Sequence, residues 1–241
     1  MSDIPLDLPA PSPDGTGKGA EASYVHPSLA GREQESAALA DAVRRLIGIC
    51  GSTTAPPEAT MAAAQGLHAI ADALERQGAD IPDTRTFVGE RGEGVPDLAS
   101  HMPYDVIVGR HNPLAVPLTV SLEPPKAVLE GTFTGPYEGP PGCVHGAVLA
   151  ASFDLVLAAA NVAGGYAGPT ARLEIAYRRP TVLNEPCRFE GEVASFENDR
   201  VRTVGTLTQN GRVTVEATGE FKVLDREGIL RMARRAGRAA P

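Results

Sequence analysis

The sequence predicts an α+β fold in which an antiparallel sheet wraps around one apolar helix, with a helical hairpin in front of the sheet. Three observations predict it. Apolar and polar side chains alternate in most segments after residue 117, one helix between these segments is apolar on every side, and residues 31–78 show helical spacing. Because an all-apolar helix needs cover and half-buried strands have one apolar face, we expect the strands to enclose the helix.

The strands are predicted from period-two alternation. The clearest case runs from Val213 to Val223, where apolar residues at every second position alternate with polar ones. Asn198-Asp199 and Asn210-Gly211 tolerate the left-handed conformation that tight hairpins need, so the last three strands should form a meander. The other strands are expected near 117–123, 126–134, 172–178, 187–197 and 200–209.

The apolar helix, expected from about His145 to Ala163, contains the most informative residue of the chain. Asp154 is the only charged side chain between Glu138 and Arg172 apart from any charge on His145. Burial of an unpaired carboxylate is costly, so such a residue is usually paired, hydrogen-bonded or functional. The alternative is an aspartate that faces water at a helix kink or a dimer edge.

A loop rich in glycine and proline, residues 139–146, leads directly into this helix. The unpaired N–H groups at a helix N-terminus, together with the helix dipole, can hold the oxyanion of a tetrahedral intermediate. Taken alone, the loop fits an ordinary turn better. His145 fits either a general base or a residue that positions the loop through a ring hydrogen bond, and we favour the second.

The remaining segments complete the predicted organisation. Residues 1–30 are expected to be a flexible tail, 31–78 a helical hairpin, 79–116 a connecting segment, 117–223 the main domain and 224–241 a basic C-terminal tail.

Composition limits the function classes. The net charge of −8, with fifteen acidic against seven basic residues in the first hundred, argues against nucleic acid as a partner. Three cysteines without metal-ligand spacing favour a reducing compartment, and we expect neither a metal nor another cofactor. With no leader-like start and no run of about 18 apolar residues, we expect a cytoplasmic protein without a membrane partner.

Two segments carry a family resemblance. Residues 140–147, Pro-Pro-Gly-Cys-Val-His-Gly-Ala, are followed by Asp154 nine positions after the histidine and by residues 170–180, which end in Tyr177-Arg178-Arg179-Pro180. Together they resemble hotdog-fold acyl-coenzyme A thioesterases of the phenylacetate-pathway type over roughly residues 117–223. The resemblance implies a hotdog fold, thioester hydrolysis and a homodimer.

The same resemblance implies roles for residues. The Gly146 N–H would polarise the thioester carbonyl, Asp154 would act as general base or nucleophile, and Thr170 would orient the attacking group. Many members have a second glycine where this chain has Ala147. Some carry an amide side chain six residues before the histidine, a position that is Gly139 here.

Helix geometry adds an expectation about assembly. At about 100° and 1.5 Å per residue, Asp154 lies on the opposite side of the helix from His145, roughly 13 Å further along. One chain therefore cannot easily bring both to one thioester. If the groups cooperate, Gly146 of one subunit should face Asp154 of its partner across a two-fold axis.

Arg178 and Arg179, at the end of a strand, are candidates for binding the phosphates of coenzyme A, with a solvated strand end as the equal alternative. Two other functions stay open. One is an acyl-coenzyme A-binding sensor without catalysis, whose helical hairpin would bind DNA. The other is a hotdog hydratase or dehydratase, although the order of histidine and acid in those enzymes differs from the order here.

Overall fold

The computed structural model describes residues 25–78 and 98–224, together with residues 228 and 231. Six strands form one antiparallel sheet in the order β1-β2-β4-β5-β6-β3. The strands are β1 (Leu118–Glu123), β2 (Lys126–Thr132), β3 (Thr170–Tyr177), β4 (Pro186–Glu197), β5 (Arg200–Gln209) and β6 (Arg212–Lys222). The sheet curves around part of one helix, α4 (Gly146–Ala163), which confirms the predicted fold.

The core lies between α4 and the inner face of the sheet. Phe153 and Val156 are fully buried, and the Phe153 ring meets the Phe189 ring edge-on at 5.1 Å. Gly191 lets α4 approach closely, because a Cβ at this position would lie 2.9 Å from the Val156 carbonyl oxygen of α4. By length and hydropathy alone α4 could cross a membrane, but its packing against the sheet is that of a core helix.

The sequence predicts that α4 is buried on every side, and this prediction is wrong for the single chain. Ala147 and Ala151 are exposed, and Asp154 and Leu155 are half-buried. These residues lie on the side of α4 that the sheet does not cover, because six strands curve around only part of the helix. This apolar side of α4 is therefore not covered by the residues that the structure describes.

The two long helices before the sheet differ in how far their side chains are buried. In α1 (Glu33–Cys50), Ala37 and Ala40 are buried, and the Arg44 guanidinium donates to the Asn112 carbonyl at 3.0 Å. In contrast, α2 (Pro57–Gln77) has no buried residue. The two helices lie where the helical spacing predicts them.

Parts of the predicted tail and connecting segment belong to the folded body. His26 and Leu29 are buried beside the short 3-10 helix Pro27–Leu29, and a four-residue helix, α3 (Leu98–His101), precedes a stretch that buries Ile107 and Val108 in the core. Residues 1–24 of the tail, residues 79–97 of the connecting segment and most of the basic C-terminal tail lie outside the described residues.

Candidate active site

The N-terminus of α4 presents a free backbone donor. His145 is the N-cap residue, and its Nδ1 accepts a hydrogen bond from the Ala147 N–H at 3.0 Å. The His145 N–H in turn donates to the Tyr137 carbonyl at 2.8 Å. In the described part of the chain, the Gly146 N–H has no acceptor. This donor, at the positive end of the helix dipole, can bind an anionic oxygen.

The loop before α4 is fixed by its own contacts. The Glu138 carboxylate accepts a hydrogen bond from the Gly142 N–H at 2.6 Å, and the Gly139 N–H donates to the Cys143 carbonyl at 2.9 Å. A Cβ at Gly139 would lie 2.7 Å from the His145 Cα. The loop in this conformation therefore has no room for the amide side chain that some hotdog thioesterases carry at this position.

The second polar centre is a pair of side chains. The Thr170 hydroxyl donates to an Asp154 carboxylate oxygen at 2.7 Å. Asp154 is half-buried in the single chain, so the expectation of a buried carboxylate is not met there. The hydrogen bond from Thr170 agrees with the expectation that Asp154 has a partner. Because this bond holds one carboxylate oxygen, it orients the carboxylate.

A β-bulge brings Thr170 to this position. The pairing of β3 with β6 shifts between Thr170 and Arg172, so Ala171 is the extra residue. Thr170 lies opposite Phe221, which is buried in the core. Since directly opposed residues of an antiparallel pair point to the same face, Thr170 faces α4. Simple alternation would have placed it outward with Arg172.

Tyr177, at the C-terminal end of β3, contacts the N-terminus of α4. Its hydroxyl donates to the Gly146 carbonyl at 2.8 Å. Leu173 and Ile175 of the same strand pack against the core, so odd-numbered positions of β3 face the helix. The sequence motif contained this tyrosine but assigned it no role. Tyr177 lies two positions after Ile175 and four after Leu173, and this spacing could have predicted that its side chain faces the helix.

The structure therefore groups the predicted residues into two half-sites. One contains His145 and Gly146, and the other contains Asp154 and Thr170. Gly146 and Asp154 are eight positions apart in α4, which corresponds to about 12 Å along the helix axis. The two half-sites of one chain therefore lie too far apart to act on the same thioester group.

The two candidate phosphate ligands already have partners. Arg178 forms an ion pair with Glu216 at 2.8 Å, and Arg179 donates to the Val213 carbonyl at 2.9 Å. Both side chains are exposed, so coenzyme A binding at these residues stays a prediction. Among the residues that the structure describes, no group of three or more histidine, cysteine, aspartate or glutamate side chains is placed to hold a metal ion.

Comparison with solved structures finds similar folds. A crystal structure named as a thioesterase superfamily protein is 33% identical and covers 77% of this chain and 94% of that chain, with a TM-score of 0.67. The PaaI protein from the Escherichia coli phenylacetic acid degradation operon is 16% identical over 45% of this chain and 80% of that chain (TM-score 0.42). A hypothetical thioesterase from Streptococcus pneumoniae, crystallised with coenzyme A, is 18% identical over 44% of this chain and 87% of that chain (TM-score 0.42).

No protein-family model and no curated protein matches the chain. The 33% identical structure covers more of the chain than the sheet and α4 occupy. The likeness to it therefore extends into the region before β1.

Proposed function

Because the chain belongs to the thioesterase superfamily, we propose that it hydrolyses an acyl-coenzyme A thioester to a free acid and coenzyme A. The observation that carries the proposal is that one helix carries two half-sites with complementary chemistry. A free N–H at the α4 N-terminus can bind an oxyanion, and a carboxylate oriented by a hydroxyl lies further along the same helix.

In the proposed reaction, Asp154 acts as the general base and Thr170 orients it. A water molecule loses a proton to the Asp154 carboxylate while its oxygen forms a bond to the thioester carbon. The carbonyl oxygen becomes an oxyanion that accepts a hydrogen bond from the Gly146 N–H. Collapse of the tetrahedral intermediate breaks the C–S bond, and the leaving coenzyme A sulfur takes up the proton that Asp154 had accepted, which restores the carboxylate. Direct attack by the Asp154 carboxylate, through a mixed anhydride that water then hydrolyses, uses the same residues.

The proposed enzyme is a homodimer whose two sites are shared between subunits. The separation of Gly146 and Asp154 along α4 and the uncovered side of α4 support it. Edge strand β3 supports it as well, since one of its edges has no pairing strand among the described residues. Pairing of two β3 strands across a two-fold axis would cover the apolar side of α4 and bring Gly146 of one subunit towards Asp154 of the other.

The test is release of free coenzyme A from a series of acyl-coenzyme A substrates. Asp154→Asn keeps the size of the side chain and removes its basicity, so we expect kcat to fall by on the order of 10² or more. Thr170→Ala should lower kcat less, because the carboxylate stays in place. Glu197→Gln, which changes an exposed carboxylate of β4 away from both half-sites and from β3, is the control and should retain the wild-type rate.

Equal rates for wild type and Asp154→Asn would remove Asp154 from the mechanism. No release by wild type from any substrate of the series would contradict hydrolysis, and saturable binding of the same substrates would then favour the sensor function.

A further inference from the structure

The peptide unit between Gly146 and Ala147 is held at both of its polar groups. Its carbonyl accepts the hydrogen bond from the Tyr177 hydroxyl at 2.8 Å, and its N–H donates to His145 Nδ1 at 3.0 Å. Because a peptide unit is planar, two such contacts fix its orientation. The neighbouring His145–Gly146 peptide carries the proposed oxyanion donor.

The two backbone torsions of Gly146 connect this fixed peptide to the His145–Gly146 peptide, whose carbonyl accepts hydrogen bonds from the Val148 N–H at 3.0 Å and the Leu149 N–H at 3.2 Å. Glycine has the widest range of these torsions, so the contacts on both sides of Gly146 together limit how far the direction of its N–H can vary. The glycine also lets the tyrosine approach, because a Cβ at position 146 would lie 3.2 Å from the Tyr177 hydroxyl oxygen. Gly146 therefore adds backbone freedom next to the donor and leaves room for the Tyr177 hydroxyl, which reduces that freedom.

Core stability does not explain the Tyr177 hydrogen bond. A buried hydroxyl needs a partner, whereas an exposed one can bind water at little cost. Tyr177 is 53% exposed in the single chain. Its hydroxyl nevertheless bonds to the residue that carries the free donor, and its position at the end of β3 is set by the pairing with Val215 in β6.

We infer that Tyr177 is a positioning residue, whose hydroxyl holds the Gly146–Ala147 peptide so that the Gly146 N–H points at the oxyanion of the thioester. The inference rests on the proposed thioesterase function. It assigns Tyr177 no contact with the reacting atoms. The hydroxyl acts only through Gly146, and this separates the role from substrate binding and from general structural support.

The direct test is Tyr177→Phe, which removes the hydroxyl and keeps the ring. We expect kcat for coenzyme A release to fall about tenfold, the scale of one lost hydrogen bond in a transition state, with KM changed less than about twofold. Tyr166→Phe is the matched control, because the Tyr166 ring packs against Phe196 and forms no hydrogen bond to the α4 N-terminus. It should keep the wild-type kcat.

A double-mutant cycle tests whether Tyr177 acts through the Gly146 N–H. Gly146→Pro removes this N–H at the first position of the helix, where proline is well tolerated. In the Gly146→Pro background, Tyr177→Phe should change the residual rate less than about twofold. A tenfold fall in both backgrounds, or equal kcat values for Tyr177→Phe and wild type, would overturn the inference while leaving hydrolysis intact. Absence of coenzyme A release from wild type would remove the proposed function together with this inference.

Discussion

At the scale of single residues, position 146 allows the oxyanion donor to be removed without disturbing the helix. Gly146 is the first residue of α4, and His145 before it has φ −63° and ψ 131°. Proline is favoured at the first helical position, and the residue before a proline prefers this extended conformation. The sequence at this point can therefore accept a residue that has no N–H.

We predict that Gly146→Pro lowers kcat by about 10²–10³, the usual scale for losing one oxyanion donor. Gly146→Ala is the matched control, because it adds the same Cβ beside Tyr177 and retains the N–H. Its kcat should fall by no more than about tenfold, the loss expected if the added Cβ displaces the Tyr177 hydroxyl. The measurement is kcat for coenzyme A release, with circular dichroism to verify the fold. If the two variants lose activity equally, the cause is the added Cβ and the backbone donor has no role.

The candidate residues could be predicted only in part. Asp154 and Gly146 stand out because a lone charge interrupts an apolar helix and a glycine-rich loop precedes it. Tyr177 could not be assigned a role, since the partner of its hydroxyl is a backbone carbonyl 31 residues away. The ion pair between Arg178 and Glu216 could not be predicted either, because it depends on the register of β3 against β6.

At the scale of elements, α4 and α2 contribute differently to stability. Phe153 of α4 is fully buried and packs against Phe189, whereas Ile70 of α2 is 56% exposed. Truncation of a buried phenylalanine removes transfer energy and leaves a cavity. Truncation of an exposed side chain does neither.

We predict that Phe153→Ala lowers the free energy of unfolding by about 3–5 kcal/mol. Ile70→Ala, the control on an equally helical segment, should change it by less than about 0.5 kcal/mol. Urea denaturation of the two variants measures both values. A cost for Ile70→Ala that approaches the cost for Phe153→Ala would mean that α2 is packed in the protein in solution.

Sequence patterns predicted the positions of the strands better than which of their side chains face the helix. All six strands lie close to the predicted ranges, because alternation and hairpin residues are local signals. The face of Thr170 was not predictable, since the bulge at Ala171 reverses the alternation and depends on pairing with Phe221, 51 positions later. The contribution of residues 98–116 to the core was missed because this segment has no regular period.

At the scale of the whole molecule, the arrangement of half-sites predicts complementation between inactive subunits. In a dimer with shared sites, Asp154→Asn damages one half-site of each subunit and Gly146→Pro damages the other. A mixed dimer then has one site with both defects and one intact site.

We predict that Asp154→Asn and Gly146→Pro, refolded together at equal amounts, recover about a quarter of the wild-type activity, because about half of the dimers are mixed and each has one intact site of two. Each variant refolded alone is the control and should stay inactive. If each site lies within one subunit, every site carries a defect and the mixture recovers nothing. Coenzyme A release measures the recovery.

The order of the strands also determines when the candidate site can form during synthesis. β3 carries Thr170 and Tyr177, and it pairs only with β6 among the strands described. The ribosome completes α4, with Gly146 and Asp154, long before it makes β6. Until β6 has left the ribosome, β3 has no neighbour to fix its register, and neither hydrogen bond from β3 to α4 has a stable support. The last strand of the sheet therefore completes the site, and a chain that ends early lacks the support for Thr170 and Tyr177 even though it contains both residues.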